Sequence, residues 1–251
     1  MLSKNQISAV TALSQKKVRN EQRLFVAEGT KIVPELLSSD IVVRELFMTA
    51  SFADRIELRP GLRQTIVTET ELQRISGLST PNEVLAVCEQ PDRNLEKESF
   101  SGKLTLVLDD IRDPGNLGTI IRIADWFGIS SVICSNDTVD VYNPKVVQST
   151  MGSICRVKVF YTDLSAFLAS STLPVYGTLL EGGNIYAGQL STEGFIVTGN
   201  ESHGISPAIQ KLLTHRITIP SFSSMKSGGE AESLNAAIAT AIVCSEFRRR
   251  S

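Results

Sequence analysis

From Thr105 onward, short apolar runs alternate with helix-like segments, and this alternation constrains the fold more than any other feature of the 251 residues. Strand-like runs fall at Thr105–Leu108, Ser131–Cys134, Val157–Phe160, Val175–Leu179, Phe195–Thr198 and Arg216–Ile219, with helical segments between most of them. Strands joined through helices run parallel, because a parallel pair needs a long crossover where an antiparallel pair needs only a turn. The pattern predicts an α/β fold with a mostly parallel sheet, covered on both faces.

The first 90 residues read as a smaller α/β unit. Ile7, Val10, Leu13 and Val18 recur at helical spacing and predict one amphipathic helix over residues 3–19. Leu24–Ala27 reads as a strand, Glu28-Gly29-Thr30 as a turn, and Ile32, Val33, Leu36 and Leu37 as the apolar face of a helix. Val42–Met48 and Val84–Cys88 read as further strands, with a helix over Glu69–Ile75 between them. The segment QPDRNLEKESFSGK is polar and aperiodic. The expected division is a domain over 1–90, a linker over 91–102 and a second domain over 103–251.

Composition removes several classes of function. No apolar run approaches the roughly 20 residues of a membrane span, and the amino terminus has no signal-peptide core. Four cysteines lie scattered without CxxC spacing beside two histidines, which argues against structural disulfides and a metal site and for a reducing cytoplasm. A net charge of −2 excludes a protein that grips nucleic acid by bulk charge. Lys4, Lys16, Lys17, Arg19, Arg23 and Lys31 nevertheless outnumber Glu21 and Glu28 in the first 31 residues. A local basic patch on an acidic body suits a partner read by shape, with phosphate contacts at a few places. Lys16, Lys17, Arg19 and Arg23 are the candidate contacts.

Three segments carry the chemistry. In Leu106–Gly128 a buried strand stops at Asp109 and Asp110, Pro114-Gly115 turn, and Asn116 is placed to cap a helix. Arg122 is the one cation in that helix's oily segment, read as a buried guanidinium. In Phe195–Ser206 a strand runs into Gly199-Asn200-Glu201 and Gly204, before a helix with Pro207 in its first turn. His203, with no second histidine or serine–histidine–acid order beside it, reads as an ordinary polar residue. In Arg216–Asn235 a strand breaks at Pro220, and Ser233 is placed to cap the final helix, with Leu234 and Asn235 in its first turn.

Taken together and in order, these segments resemble the SpoU (TrmH-like) family of RNA 2′-O-ribose methyltransferases, in the SPOUT superfamily. Asn116-Leu117-Gly118 with Arg122 is similar to its first motif, Gly199-Asn200-Glu201 with Gly204-Ile205 to its second, and Ile219-Pro220 with Glu232-Ser233-Leu234-Asn235 to its third. The likeness extends more loosely to residues 1–90, which resemble an L7Ae/L30e-like substrate-binding domain. Two departures stand out: Ser202 occupies a position where glycine is common, and the interval from Pro220 to Ser233 is long, with Gly228-Gly229 inside it.

The resemblance implies a SPOUT-type sheet with a trefoil knot, an exception to the rule against threaded chains. It implies S-adenosylmethionine as cofactor, held by Leu179, Gly199, Asn200, Gly204, Ile219, Pro220 and Leu234. It implies Arg122 at the reacting hydroxyl, with Asn116, Glu201, Ser233 and Asn235 positioning it. It implies RNA as partner, ribosomal RNA ahead of transfer RNA, and a homodimer without metal or membrane. A non-catalytic RNA-binding protein on the same fold is the alternative from another class. A dinucleotide-dependent dehydrogenase lacks its G-x-G-x-x-G after the first strand of either domain.

Overall fold

The computed structural model describes residues 2–58, 60–222 and 233–249. It divides into two compact units, Met1–Asp92 with Asp140–Arg156, and Arg93–Val139 with Val157–Ser251. The segment Asp140–Arg156 thus belongs with the first unit, although the sequence places it inside the expected second domain.

The first unit opens with α1 (Lys4–Ala12), started by a capping box in which Ser3 and Gln6 satisfy one another's backbone N–H groups. There follow α2 (Lys16–Gln22), β1 (Leu24–Glu28), α3 (Ile32–Leu37), β2 (Val43–Met48), α4 (Ala50–Ala53), β3 (Arg63–Ile66), α5 (Glu69–Gln73) and β4 (Val84–Glu89). The sheet runs β1-β4-β2-β3, with β4 antiparallel to both neighbours and β3 parallel to β2. Val26, Phe47, Leu85 and Val87 on its strands pack with Val10, Leu13 and Leu72 from the helices.

Where the apolar period predicts one helix over residues 3–19, the chain makes two. The break aims the carbonyls of Leu13 and Ser14 at the guanidinium of Arg19, which donates to them at 2.9 and 2.7 Å. The same guanidinium donates twice to one carboxylate oxygen of Asp140, at 3.1 and 2.6 Å. Arg19 is 2% exposed. It holds Asp140–Arg156 to its own unit and cannot present its charge to RNA, which corrects its place among the phosphate contacts.

The second unit contains β5 (Leu104–Asp109), α6 (Pro114–Trp126) and β6 (Ser131–Ser135). The chain then contributes α7 (Pro144–Thr150) to the first unit and returns as β7 (Lys158–Thr162). It continues through α8 (Leu164–Ala169), β8 (Val175–Asn184), β9 (Gly194–Gly199), α9 (Pro207–Gln210), β10 (His215–Thr218) and α10 (Ala236–Arg249). The six strands lie in the order β10-β8-β9-β5-β6-β7, and every pairing is parallel. All six residues of β5 are buried, as a central strand covered on both faces requires. Phe100, Phe167 and Phe195 pack ring against ring on one face, with centroids 5.2–5.6 Å apart. On β9, the hydroxyl of Thr198 meets that of Thr240 from α10 at 3.1 Å.

Helix starts differ from expectation at both functional helices. Asp113 caps α6, its side chain accepting from the Asn116 N–H at 2.8 Å, so Asn116 stands inside the first turn. Asn235 caps α10 by accepting from the N–H groups of Ala237 and Ile238, and Ser233 lies before the cap. Residues 223–232, which include most of the long interval after Pro220, lie outside the described residues. Among the described residues no helix is long and apolar enough to cross a membrane.

Replacing Arg19 by Ala leaves a half-buried carboxylate and two carbonyls without their donor. The Arg19→Ala protein is expected to lose about 3–5 kcal/mol of stability, the scale of a broken buried ion pair, read by urea denaturation.

Candidate active site

The site is built where parallel strands end, the usual position of ligand sites in open α/β sheets. Val197 on β9 is in register with Gly177 on β8, which sets Leu179 and Gly199 at the same level two residues further on. Thr218 at the end of β10 donates its hydroxyl to the Leu180 carbonyl at 3.0 Å, bringing Ile219 to the same edge. An added Cβ on Gly182 would stand 2.9 Å from the backbone of Arg216, so only glycine lets β8 and β10 approach there. Gly199 closes β9 and Ile219 follows β10, while Leu179 is the fifth residue of the ten-residue β8, level with Gly199. Leu179, Ile219 and Pro220 are half-buried, while Leu180 is 75% exposed.

The turn after β9 is held from several sides. Asn200 and Gly204 exchange two backbone hydrogen bonds of 3.0 and 2.8 Å, with Gly204 at a φ of +68°. A Cβ on Gly199 would lie 2.2 Å from the backbone of Gly204 and Ile205, closer than any side chain tolerates. Two carboxylate residues at the end of β5 fix the turn to the sheet. Asp109 accepts from the Ser206 N–H at 2.7 Å, and the Asp110 carbonyl accepts from the Asn200 side chain at 2.8 Å. Asp110 has a φ of +58°, and its N–H donates to the Ser135 hydroxyl at 2.9 Å. In the sequence these aspartates mark only a strand stop, and two consecutive carboxylates at the end of a buried strand are the available signal. Beside Asp110, the exposed Arg112 guanidinium is held still further up in pKa by its hydrogen bond to that carboxylate.

Three candidate residues from three motifs meet. Asn235 donates its side-chain N–H to the side-chain oxygen of Asn116 at 2.9 Å, and Asn116 donates in turn to the Glu201 carboxylate at 2.5 Å. Leu234, 48% exposed, is the neighbour of this chain of bonds. Ser233 is exposed beside it. Arg122 is exposed, not buried as its oily segment suggests, and has no hydrogen-bond or ion-pair partner among the described residues. It follows Asn116 by six residues, about 9 Å along α6 at the usual helical rise. In the first unit, Lys16 and Lys17 are exposed, Lys17 lies 3.9 Å from Glu21, and Arg23 lies 3.7 Å from Asp92. Among the described residues no cluster of His, Cys, Asp and Glu is placed to hold a metal ion.

A parallel sheet with a polar relay over its strand ends defines an α/β enzyme of the strand-edge ligand type. The model of the SpoU rRNA methylase family matches residues 103–245, and the chain belongs to that family. Residues 4–86 match the MRM3-like substrate-binding domain. The chain is 31% identical to the 23S rRNA (guanosine(2553)-2′-O)-methyltransferase RlmP of Bacillus subtilis, over 94% of this chain and 93% of that protein. Among solved structures it is similar to a TrmH-family protein of Porphyromonas gingivalis, 40% identical over the whole of both chains with a TM-score of 0.88. It is also similar to the AdoMet-bound rRNA methyltransferase of Sinorhizobium meliloti, 30% identical over 99% of this chain and 96% of that one, with a TM-score of 0.86.

The tight turn makes a direct test. A Gly199→Ala chain has no room for its new methyl group and is expected to lose at least about 1–3 kcal/mol of stability, the range for overpacking. Calorimetry should show weakened S-adenosylmethionine binding in the same variant, since the Asn200–Gly204 pair must open.

Proposed function

We propose that this chain methylates a ribose 2′ hydroxyl of 23S ribosomal RNA, with S-adenosylmethionine as methyl donor. The observation that carries the reading is the hydrogen-bonded relay Asn235–Asn116–Glu201, which gathers one polar residue from each motif at the strand ends. The two matched domain models and the likeness to RlmP over nearly both full chains support ribosomal RNA as substrate.

The residues fit the donor. Adjacent strand ends offer backbone polar groups for a nucleoside, and half-buried Leu179 and Ile219 with exposed Leu234 offer apolar contact of the kind that lines such sites. Leu179, Gly199, Asn200, Gly204, Ile219, Pro220 and Leu234 would hold it there. Bound, it supplies an electrophilic methyl on a sulfonium. The protein's part is alignment and exclusion of water. Asn116, Glu201, Ser233 and Asn235 orient the ribose. Arg122, a guanidinium that stays protonated, binds phosphate and stabilises the charge that develops on the 2′ oxygen. Exposed Lys16, Lys17 and Arg23 meet backbone phosphates of the RNA.

The same reading includes a homodimer and a trefoil knot near the carboxyl end of the sheet. Trp126 on α6 is 85% exposed and Ile238 on the neighbouring α10 is 55% exposed, large apolar side chains of the kind a subunit interface covers. A reducing cytoplasm suits the free thiols, of which Cys88, Cys134 and Cys244 are buried, with burial pushing Cys244 up to about 12.

Methyl transfer to 23S RNA, mapped by 2′-O-methyl sequencing, is expected for the native protein. Arg122→Ala should lower its single-turnover rate by about 10² or more while leaving donor binding intact, as for one positioned catalytic group. Trp126→Glu should shift the protein from dimer to monomer in sedimentation velocity; an unchanged sedimentation coefficient would remove α6 from the interface.

A further inference from the structure

Between β5 and α6 the backbone turns left-handed at Asp110, whose φ of +58° is a conformation that a residue other than glycine takes at a cost. Glycine would hold this turn without strain, but it would bring no carboxylate. The Asp110 carboxylate faces two ways. Its Oδ2 stands 3.4 Å from the Nδ2 of Asn200, a buried residue of the second motif, and its Oδ1 accepts from the Nε of Arg112 at 2.9 Å. Arg112 thus lies one carboxylate away from Asn200, and it directly precedes Asp113, which caps the helix of Asn116. Its side chain is 71% exposed, and beyond Asp110 it has no hydrogen-bond partner among the described residues. With Nε engaged, the outer edge of the guanidinium, Nη1 and Nη2, presents two parallel N–H groups to solvent.

An exposed ion pair two residues apart adds little to stability, so stability does not account for a strained backbone kept at this place. Strain that its surroundings hold fixed is found at ligand clamps, where it pre-organises a group. The free edge of a guanidinium matches two oxygens of a phosphodiester, and such pairs are bidentate. Asp113 follows Arg112 in the chain, and Asp137 acts on its charge from the loop after β6. With Asp110 they oppose the collection of small free anions, so the phosphate belongs to a chain that is anchored elsewhere on the protein. We propose that Arg112, aimed by Asp110, binds a backbone phosphate of the RNA flanking the ribose that is methylated, an inference that rests on the methyl-transfer reading above. Arg122 keeps its task at the reacting hydroxyl. Arg112 adds a hold on the neighbouring backbone, and Asp110 is the positioning residue that directs it.

The test measures the affinity of the full-length protein, saturated with S-adenosylmethionine, for 23S RNA from about 50 to about 200 mM salt. Arg112→Gln should bind RNA about five- to eight-fold more weakly at about 0.1 M salt, the counterion-release worth of one phosphate. Its slope of log affinity against log salt should be shallower by about 0.7–0.9. KM for RNA should rise by the same factor, with the rate at saturating RNA and the donor affinity within about two-fold of native. Arg112→Lys keeps the charge and loses the fork, so it should restore the slope and only part of the affinity. Asp110→Asn accepts the left-handed backbone and removes a negative charge. Bulk charge alone would then tighten RNA binding, whereas a guanidinium that has lost its aim binds more weakly, which is the expected result. Arg112→Gln with native affinity and slope overturns the proposal, as does tighter binding by Asp110→Asn. Inorganic phosphate at constant ionic strength should leave the native RNA affinity unchanged; competition that Arg112→Gln abolishes would give the fork to a free anion and overturn its assignment to RNA. A native protein that binds no S-adenosylmethionine and methylates no RNA overturns instead the functional reading on which the proposal rests.

Discussion

Two side-chain amides close this site. Asn116 and Glu201 are 85 residues apart in the chain and Asn235 is 119 from Asn116, yet hydrogen bonds of 2.5 and 2.9 Å join them. An amide suits the middle of such a relay because it donates and accepts at once; a carboxylate or an ammonium at position 116 would satisfy only one neighbour. Each end is also tied to backbone. Asn235 spends its oxygen capping α10, and Glu201 sits on a turn whose first residue is pinned to Asp110. The relay therefore registers the starts of two helices and a turn against one another at the polar edge of the sheet.

The sheet makes that registration possible. Because all six strands run the same way, their carboxyl ends emerge together, and the segments that follow β5, β8, β9 and β10 share one edge. Behind the edge, α6 and α10 pack as a pair fastened at both ends. At their amino ends Asn235 binds Asn116; at their carboxyl ends Arg248 donates to the Phe127 and Gly128 carbonyls at 2.7 and 3.1 Å. A cation at the last carbonyls of α6 is favourable for the helix dipole as well as for the unpaired acceptors. The helix that carries Asn116 and Arg122 is thereby held in axial position by its neighbour.

What was legible in the sequence follows from the range of the forces involved. Apolar periodicity is local and strong, so all six strands of the second unit form at their predicted runs, although β8 continues five exposed residues past Leu179 where no apolar period marks it. Gly199 marks a turn with no room for a side chain. β3 escaped because Arg63–Ile66 is a polar edge strand with no buried position to give it a period. The capping residues were misread by one turn or less. Pro114 at the first helical position was the better guide to Asp113, since proline marks the start of a helix more sharply than the choice among Asn, Asp and Ser does. Arg19 was illegible for a different reason. In a run of lysines and arginines it looks like surface charge, and the carboxylate that draws it inward lies 121 residues away. Likewise the gathering of Asn116, Glu201 and Asn235 follows from motif resemblance and the sheet edge, while the exposure of Arg122 is a fact of packing that its apolar neighbours conceal.

Strain and rigidity are found at the same place. Asp110 adopts a left-handed backbone at a φ of +58°, which costs a non-glycine residue about 1 kcal/mol or more. It persists because Ser135 takes its N–H, Asn200 donates to its carbonyl, and Arg112 binds its carboxylate. Each of those bonds belongs to a different segment, so the strained residue is over-determined, and it passes its constraint to Asn200. Asn200 in turn receives the backbone N–H groups of Ser202 and His203 on one oxygen, which sets the orientation of the whole Glu201–His203 turn. A methyl transfer needs no enzyme-bound intermediate to be formed or broken, so the protein contributes mainly by holding groups in line. In that chemistry a tight turn that cannot relax is of more use than a reactive side chain, and the carboxylates at the end of β5 are committed to keeping it tight.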